Sequence, residues 1–169
     1  MLRNKVLLIG LVCAAPMVLG WLAYYFHWET GSAGNYGELI PPRSIPVPAI
    51  QALKGKWVLV VLDRAECGAG CEKKLYVARQ VRRAQGKEME RITRVWLLTD
   101  DGKPRPELLA AIEGSEIARA DPGQFPGNPQ DYIYLVDPIG NLMMRWPAEP
   151  DPARVIKDLQ RLLRYSRFG

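Results

Sequence analysis

Two cysteines separated by three residues are the part of this sequence best suited to chemistry. Cys67 and Cys71 enclose a Gly-Ala-Gly loop, follow an apolar run at residues 57–62 and precede a helical pattern. A strand that delivers two sulfurs to the start of a helix is typical of redox and copper-handling sites. If both cysteines lay in one helical turn, their Cα atoms would be about 6 Å apart, within disulfide range. The pair can therefore switch between dithiol and disulfide, or bind a soft metal.

A static structural disulfide is the alternative interpretation of the same pair. A bridge that closes so short a loop removes little entropy from the unfolded chain, so it stabilises the fold less than a long-range bridge does. Outside the cytoplasmic membrane, such a pair is oxidised unless a reductant or a metal keeps it open. The compartment of the domain therefore matters, and it depends on the first segment of the chain.

Residues 6–28 form an uncharged and mostly apolar stretch. As a helix, these 23 residues would be about 34 Å long, against a hydrocarbon core of about 30 Å. Arg3 and Lys5 precede the stretch and Glu29 follows it, so the positive-inside rule predicts a single-pass anchor in the cytoplasmic (inner) membrane, with the C-terminal domain on the periplasmic side. A cleaved signal peptide is the competing interpretation, but its apolar region usually has only about 7–15 residues. In an uncleaved anchor, Cys13 would be a membrane-buried thiol.

The charge of the chain excludes some function classes. The net charge of +5 comes from 23 Lys and Arg against 18 Asp and Glu, and it is spread along the sequence. Nucleic-acid binding would need a basic patch with interleaved aromatic residues or a recognised motif, and the sequence has neither. Attraction to an anionic membrane surface is the better explanation for this positive charge. The sequence also lacks a Ser-His-Asp set, a phosphate-binding glycine loop and a zinc constellation, which argues against hydrolases and nucleotide-binding proteins.

Composition divides the chain into three parts. We assign residues 1–28 to the anchor, residues 29–49, rich in Gly and Pro, to a linker, and residues 50–169 to a folded domain. About 120 residues is a normal size for one compact domain with its own core.

The folded domain shows alternating strand and helix patterns. Strands are predicted at residues 57–62, 92–99, 132–136 and 142–146, the last two joined as an antiparallel hairpin. Helices are predicted after the cysteines up to Gly86, from Pro106 to residue 112, and after an Asp151 N-cap. The order β-α-β-α-β-β-α, read as two parallel crossovers, a hairpin and a closing helix, predicts an α/β fold with helices on the faces of a mixed sheet.

With these features the chain resembles the Sco/SenC proteins of the thioredoxin-like superfamily, which assist copper insertion into cytochrome c oxidase. The resemblance rests on the anchor, on residues 55–61 before the thiols, on the three-residue gap between Cys67 and Cys71, and on residues 132–140 as the penultimate hairpin. It implies a thioredoxin-like fold. It also implies that Cys67 and Cys71 are the catalytic residues and the metal ligands.

The sequence departs from this family at a third copper ligand. The resemblance implies a histidine just before the hairpin, which aligns near Pro129, but the only histidine of the chain is His27 at the edge of the anchor. Two thiolates suit Cu(I), whereas Cu(II) prefers an imidazole ligand, which is missing here. The resemblance further implies a cis-proline beside the thiols, and Pro129 or Pro126 is the candidate.

Other side chains could contribute to the site. Met143 and Met144 could offer thioethers to Cu(I), but consecutive strand residues point to opposite faces, so core packing is the better interpretation. Glu72 would raise the pKa of the thiols, whereas Lys73, Lys74 and the helix N-terminus would lower it. The sequence leaves the balance of these charges open.

Three functions remain open. The first is a membrane-anchored thiol-disulfide protein that assists assembly of the copper centre of cytochrome c oxidase, with Cys67 attacking and Cys71 resolving the mixed disulfide. The second is a Cu(I)-binding chaperone that uses the same cysteines, and the third is a non-catalytic assembly factor. The expected partners are the membrane and subunits or assembly proteins of the oxidase. No cofactor is required, and copper is the candidate metal.

Overall fold

The computed structural model describes residues 2–25 and 34–166. The chain divides into two units, Met1–Gly34 and Asn35–Gly169. In the first unit, helix α1 covers Leu2–Tyr25. Of the helices in the described ranges, none combines the length and the apolar character needed to cross a bilayer. Residue 1 and residues 26–28 of the predicted anchor lie outside the described residues.

The second unit is built on a six-stranded mixed sheet in the order β1-β6-β5-β2-β3-β4. Its strands are β1 (Glu38–Ser44), β2 (Trp57–Asp63), β3 (Ile92–Leu98), β4 (Glu116–Arg119), β5 (Tyr132–Val136) and β6 (Asn141–Pro147). Its helices are α2 (Pro48–Gln51), α3 (Ala69–Arg83), α4 (Pro106–Ala111) and α5 (Pro152–Tyr165), with short 3-10 helices at Gly86–Arg91, Pro122–Gln124 and Pro129–Asp131. The predicted α/β fold, a mixed sheet flanked by helices, is confirmed.

Strand β2 lies inside the sheet and positions the cysteines at its end. It pairs in parallel with β3 and antiparallel with β5. Leu59 and Val61 pack in the core shared with α3 and α5, whereas Val58 and Val60 pack in the core on the opposite face. The continuous apolar run therefore serves two cores, as expected for a strand that is covered on both faces.

The second parallel crossover ends on a strand that the sequence analysis missed. Helix α4 leads into β4, which pairs in parallel with β3, and β5 then pairs antiparallel with β2. The predicted crossover into residues 132–136 is therefore wrong. Strand β4 has four residues, three of them exposed, so it lacks the apolar run that identifies a buried strand.

A second missed strand, β1, lies within the predicted linker. It forms the edge of the sheet by antiparallel pairing with β6. The buried carboxylate of Asp158 holds the approach to this strand, because it accepts hydrogen bonds from Tyr36 N (3.0 Å), Gly37 N (2.8 Å) and Trp146 Nε1 (3.0 Å). The folded unit consequently begins at Asn35, whereas the sequence places its start near residue 50.

Candidate redox site

The two cysteines lie where strand β2 gives way to helix α3. Cys67 is in the connecting turn, where its amide donates to Arg64 O at 3.1 Å, and Cys71 is in the first turn of the helix. Their sulfur atoms are joined in a disulfide, with Cα atoms 5.1 Å apart. The pair is therefore within bonding range although only Cys71 belongs to the helix.

The backbone at Cys67 is in an uncommon conformation. Among the described residues other than glycine, Cys67 alone has a positive φ, of 46°. Residues with a Cβ rarely adopt this left-handed backbone conformation, and those that do are held in it by their surroundings. The contacts of the turn that carries Cys67 therefore hold its backbone in this conformation.

The disulfide is covered in this structure. Cys67 is 1% exposed and Cys71 is 5% exposed, and both pack in the core on the α3 and α5 side of the sheet. A thiol from another molecule must reach a sulfur atom to attack it. Exchange with a partner therefore requires movement of the residues that cover the bridge.

Arg105 connects the disulfide loop to the segment that precedes α4. Its Nη2 donates to Cys67 O at 3.0 Å and also contacts the carboxylate of Glu72. From the sequence, Glu72 and Lys73 are expected to act as charges on the thiols. The structure pairs Glu72 with Arg105 and Lys73 with Glu149, at 2.8 Å, so each has a partner of opposite sign.

Asp100 holds the start of the same loop from the end of strand β3. Its Oδ1 accepts a hydrogen bond from Ala65 N at 2.9 Å, and its Oδ2 lies 3.5 Å from Arg64 Nε. The Ala65 amide, with help from the Gly102 amide and from Arg64, holds the pKa of Asp100 below its ordinary value. Because these groups favour the ionised carboxylate, the contact is strongest when Asp100 is charged.

Lys74 is a buried charge one turn after the start of α3. It is 1% exposed, and its Nζ lies 2.8 Å from Asp63 Oδ2. The same Nζ donates to Leu62 O at 3.2 Å and to Gln130 O at 2.6 Å. Lys74 thus joins the end of β2, the helix that carries Cys71 and the turn before β5, whereas the sequence predicts only an effect of its charge on the thiols.

Pro126 and Pro129, which the family resemblance places beside the thiols, both precede strand β5. Pro129 is buried in the 3-10 turn before β5, and His27 lies outside the described residues. Every peptide bond in the described ranges is trans, so neither Pro126 nor Pro129 is the cis-proline that the family resemblance implied.

The two methionines take different places around a β-bulge. Leu142 pairs with Val136 and Met144 with Leu135, so Met143 is the extra residue between them. Met144 is fully buried in the core, and Met143 lines a shallow cleft with Trp57 and Leu162. Among the described residues, no three His, Cys, Asp or Glu side chains are grouped closely enough to hold a metal ion. The soft donors at the site are therefore the two cysteine sulfurs.

Comparisons with known proteins agree with this geometry. A family model described as the transmembrane-like, thioredoxin-like, C-terminal domain matches residues 57–166, which include both cysteines and most of the sheet. Among curated proteins, none has a sequence that matches this chain.

Solved structures of Sco proteins share the fold. Apo Sco1 from Thermus thermophilus is 18% identical with a TM-score of 0.57, over 78% of this chain and 99% of that one. Copper-bound yeast Sco1 is 13% identical with a TM-score of 0.57, over 80% and 96% of the two chains. BsSco, described as a cytochrome c oxidase assembly protein with a disulfide switch, is 14% identical with a TM-score of 0.50, over 78% and 96%. At these identities the similarity concerns the fold, and the predicted Sco-like, thioredoxin-like fold is confirmed.

Proposed function

We propose that this chain, which belongs to the family of the transmembrane-like, thioredoxin-like, C-terminal domain, is a thiol-disulfide protein whose Cys67–Cys71 pair opens and closes during its function. The observation that carries this proposal is the disulfide itself, which joins the turn after a central strand to the first turn of the following helix. A bridge over so short a loop adds little stability, so a redox role explains it better than a structural one.

The reaction is thiol-disulfide exchange. In the reduced protein, the Cys67 thiolate attacks a partner disulfide, a mixed disulfide forms, and one partner sulfur leaves as a thiolate. The Cys71 thiolate then attacks Cys67 Sγ, which releases the second partner sulfur and closes the Cys67–Cys71 bridge. Two electrons pass to the partner, and a thiol reductant must reopen the bridge before the next cycle.

Serine substitutions of each cysteine test this order of attack. Cys67→Ser should abolish exchange with a disulfide substrate, whereas Cys71→Ser should accumulate mixed disulfides because the resolving thiol is gone. Non-reducing electrophoresis of both variants measures the outcome. If both variants exchange as the wild type does, the pair is inert, and the non-catalytic assembly factor becomes the better explanation.

For the biological role, we propose assistance to assembly of the copper centre of cytochrome c oxidase from the outer side of the membrane. The described assembly role of BsSco, which shares the fold, supports the first part. The uncharged stretch at residues 6–28 with Arg3 and Lys5 before it supports the second. A reporter fused after Gly169 should be active outside the cytoplasm, and activity only inside would overturn the location.

A Cu(I)-binding chaperone is the second candidate. Two cysteine sulfurs suit Cu(I), and a protein with the same fold, yeast Sco1, is known with copper bound. Position 129, near which the family resemblance places a histidine, precedes Gln130, whose carbonyl oxygen accepts a hydrogen bond from Lys74 in the helix that carries Cys71. This contact favours placing position 129 at the thiol end of the domain.

Copper titration separates the two candidates. The reduced wild type should bind Cu(I) and hold Cu(II) poorly, whereas Pro129→His should strengthen Cu(II) binding because imidazole is a favoured Cu(II) donor. Failure of the wild type to bind Cu(I) would remove the chaperone candidate. A folded Pro129→His protein with unchanged Cu(II) affinity would contradict the alignment at this position.

A further inference from the structure

An apolar cleft lies at the end of the sheet opposite the disulfide loop. Its volume is about 410 Å³, and it lies between the hairpin turn at residues 137–141 and the last turns of α5. Trp57, at the start of β2, also lines it. Two further lining residues protrude into solvent, because Ile139 is 65% exposed and Tyr165 is 79% exposed. Neighbouring large apolar side chains that protrude in this way indicate a contact surface.

Basic side chains border this apolar cleft. Arg161 is one of its lining residues. A second, polar cleft shares Ser166 with the first, so the two are neighbours at the end of α5. The polar cleft is lined by three further basic residues, Lys87, Arg91 and Arg164. Any partner that covers the apolar cleft therefore also meets positive charge.

The acidic residues in the described linings of the two clefts already have partners. They are Asp137 and Glu88. Asp137 Oδ1 accepts hydrogen bonds from three amides of its own turn, and Glu88 Oε2 lies 2.8 Å from Arg91 Nη1. The two linings thus hold four basic side chains against two acidic ones, and the surface at this end is positively charged.

Two exposed lysines before β2, Lys54 and Lys56, extend the positive charge to the hairpin turn. Gly55, which lies between them, donates its amide to Pro138 O at 2.8 Å. The stem of Lys54 lies against the turn, because a Cβ placed on Gly140 would be 3.2 Å from Lys54 Cε. These contacts hold the two lysines beside the exposed tip of the turn.

The end of the sheet that carries the disulfide has an acidic cleft instead. This cleft follows β3 and β4, and its described lining holds Asp100, Asp101 and Asp121 against one basic residue, Arg119. It adjoins the disulfide loop, because Asp100 accepts a hydrogen bond from Ala65 N. The charge of these clefts therefore changes sign from one end of the sheet to the other.

We propose that this end of the folded unit docks on an anionic lipid bilayer. The docking surface consists of Ile139 and Tyr165, which enter the headgroup region, and of Lys54, Lys56 and Arg164, which face the lipid phosphates. Apolar and aromatic side chains gain by leaving water at a bilayer surface, and basic side chains beside them are attracted to anionic lipids. The combination of a protruding apolar tip with surrounding positive charge fits such a surface.

Docking in this way turns the disulfide away from the bilayer. Strand β2 runs from Trp57, at the apolar cleft, to Asp63, just before the disulfide loop, and its seven residues span about 20 Å. The bridge is then held on the side that faces a partner in the aqueous phase. The docking surface takes no part in thiol exchange, and it rests on the proposed location only in that a bilayer must be near.

A nitroxide label at position 139 tests the proposal in the full chain. The chain carries Cys13→Ser and Ile139→Cys, keeps the Cys67–Cys71 disulfide, and is reconstituted with vesicles of phosphatidylcholine alone or with phosphatidylglycerol. In the anionic vesicles the label should become shielded from a water-soluble nickel chelate and accessible to oxygen in the bilayer, and high salt should reverse this. A label introduced by Glu149→Cys, at the disulfide end beside Lys73, should stay accessible to the chelate in both.

Paired charge variants then test which basic residues are responsible. Lys54→Gln with Arg164→Gln should lower the ratio of docked to free label about 25-fold, about fivefold for each positive charge removed from an anionic surface. Lys103→Gln with Arg119→Gln is the matched control, because it removes the same charge from exposed positions at the disulfide end. It should leave the ratio within about twofold of its starting value.

Three results would overturn the docking surface. The first is a label at position 139 that is equally accessible to the chelate in both kinds of vesicle, which would leave the cleft to a protein partner. The second is shielding of the label at position 149, which would mean that the opposite end docks. The third is an equal loss of docking in the two charge variants, which would assign the attraction to net charge alone. Docking that the control variant keeps and Lys54→Gln with Arg164→Gln weakens supports the proposal.

Discussion

Two connections at opposite ends of the sheet are held in different ways. The turn at residues 137–141 joins β5 to β6, and the loop at residues 64–68 joins β2 to α3. Because β2 and β5 are antiparallel, with Val58 opposite Val136, the turn lies beside the start of β2 and the loop follows its end.

The hairpin turn is fixed by one of its own residues. Asp137 Oδ1 accepts hydrogen bonds from the amides of Ile139 (3.0 Å), Gly140 (2.9 Å) and Asn141 (2.8 Å). Gly140 supplies the positive φ, of 100°, that the turn requires. All three contacts to Asp137 lie within the turn, and one main-chain contact from outside is added to them, because Gly55 N donates to Pro138 O at 2.8 Å.

The disulfide loop is instead fixed by residues that are distant in sequence. Asp100 accepts from Ala65 N, and Arg105 donates to Cys67 O. Lys74 holds the end of the preceding strand through Asp63. The loop can therefore be loosened by changes at separate places in the fold, which would serve the proposed exchange because the bridge is covered in this structure.

The largest effect is expected when Lys74 is removed. Lys74→Met leaves the Asp63 carboxylate without its cation in a largely buried site and should lower the free energy of unfolding by about 3 kcal/mol. Lys73→Met is the matched control: its pair with Glu149 is exposed, so it should cost less than about 1 kcal/mol. Urea denaturation measures both values, and equal losses would contradict the role of Lys74.

Removal of the hairpin carboxylate should affect stability alone. Asp137→Ala loses three amide hydrogen bonds to one carboxylate oxygen and should lower the free energy of unfolding by about 2 kcal/mol. The rate at which dithiothreitol reduces the native Cys67–Cys71 bridge should stay unchanged, because the turn is at the other end of the sheet. A clear acceleration of reduction would mean that the two connections are coupled.

Removal of the contact above the disulfide should affect access. Arg105→Gln breaks the hydrogen bond to Cys67 O and the ion pair with Glu72, and should speed reduction of the bridge by about fivefold. Lys73→Gln, in the same helix turn as Glu72, controls for the loss of a positive charge. If Lys73→Gln speeds reduction as much as Arg105→Gln does, general charge rather than the contact with Cys67 is responsible.

The smallest effect concerns pH. The pKa of Asp100 is lowered in the folded protein. The stabilisation of the disulfide loop by its carboxylate is therefore fully present above the ordinary pKa of about 4 and is lost as the pH falls through the lowered value. Reduction by a phosphine, which does not depend on a thiolate, should therefore accelerate in strong acid relative to an unfolded disulfide peptide reduced at the same pH. In Asp100→Asn this pH-dependent step should be absent. An identical acid profile in both proteins would exclude Asp100 as its cause.

The same contrast explains what the sequence could predict. Strand β2, the hairpin and helix α5 carry local signals: an apolar run, turn residues, and the Asp151 N-cap, whose side chain accepts from Ala153 N at 2.9 Å. The cysteine pair is indicated by its spacing and by its place between an apolar run and a helical pattern. These features depend on residues that are close in the chain, and the structure contains them at the expected places.

The missed features depend on residues that are far apart. Strand β1 is held by Asp158, which is 121 residues from Gly37 in sequence, so its Gly- and Pro-rich surroundings read as a linker. Arg105 is 38 residues from Cys67, and neither its type nor its spacing indicates a contact with that carbonyl. Lys74 is 1% exposed in the structure, and no local pattern in the sequence predicts that this lysine is buried.

The midpoint potential of the Cys67–Cys71 pair tests the central claim most directly. The full chain with Cys13→Ser, which removes the free cysteine, is equilibrated in thiol redox buffers and the fraction of open bridge is measured by alkylation. A redox-active pair should open and close reversibly with a midpoint between about −270 and −120 mV, the range of known thiol-disulfide proteins. A midpoint below about −300 mV, typical of structural disulfides, would contradict the account.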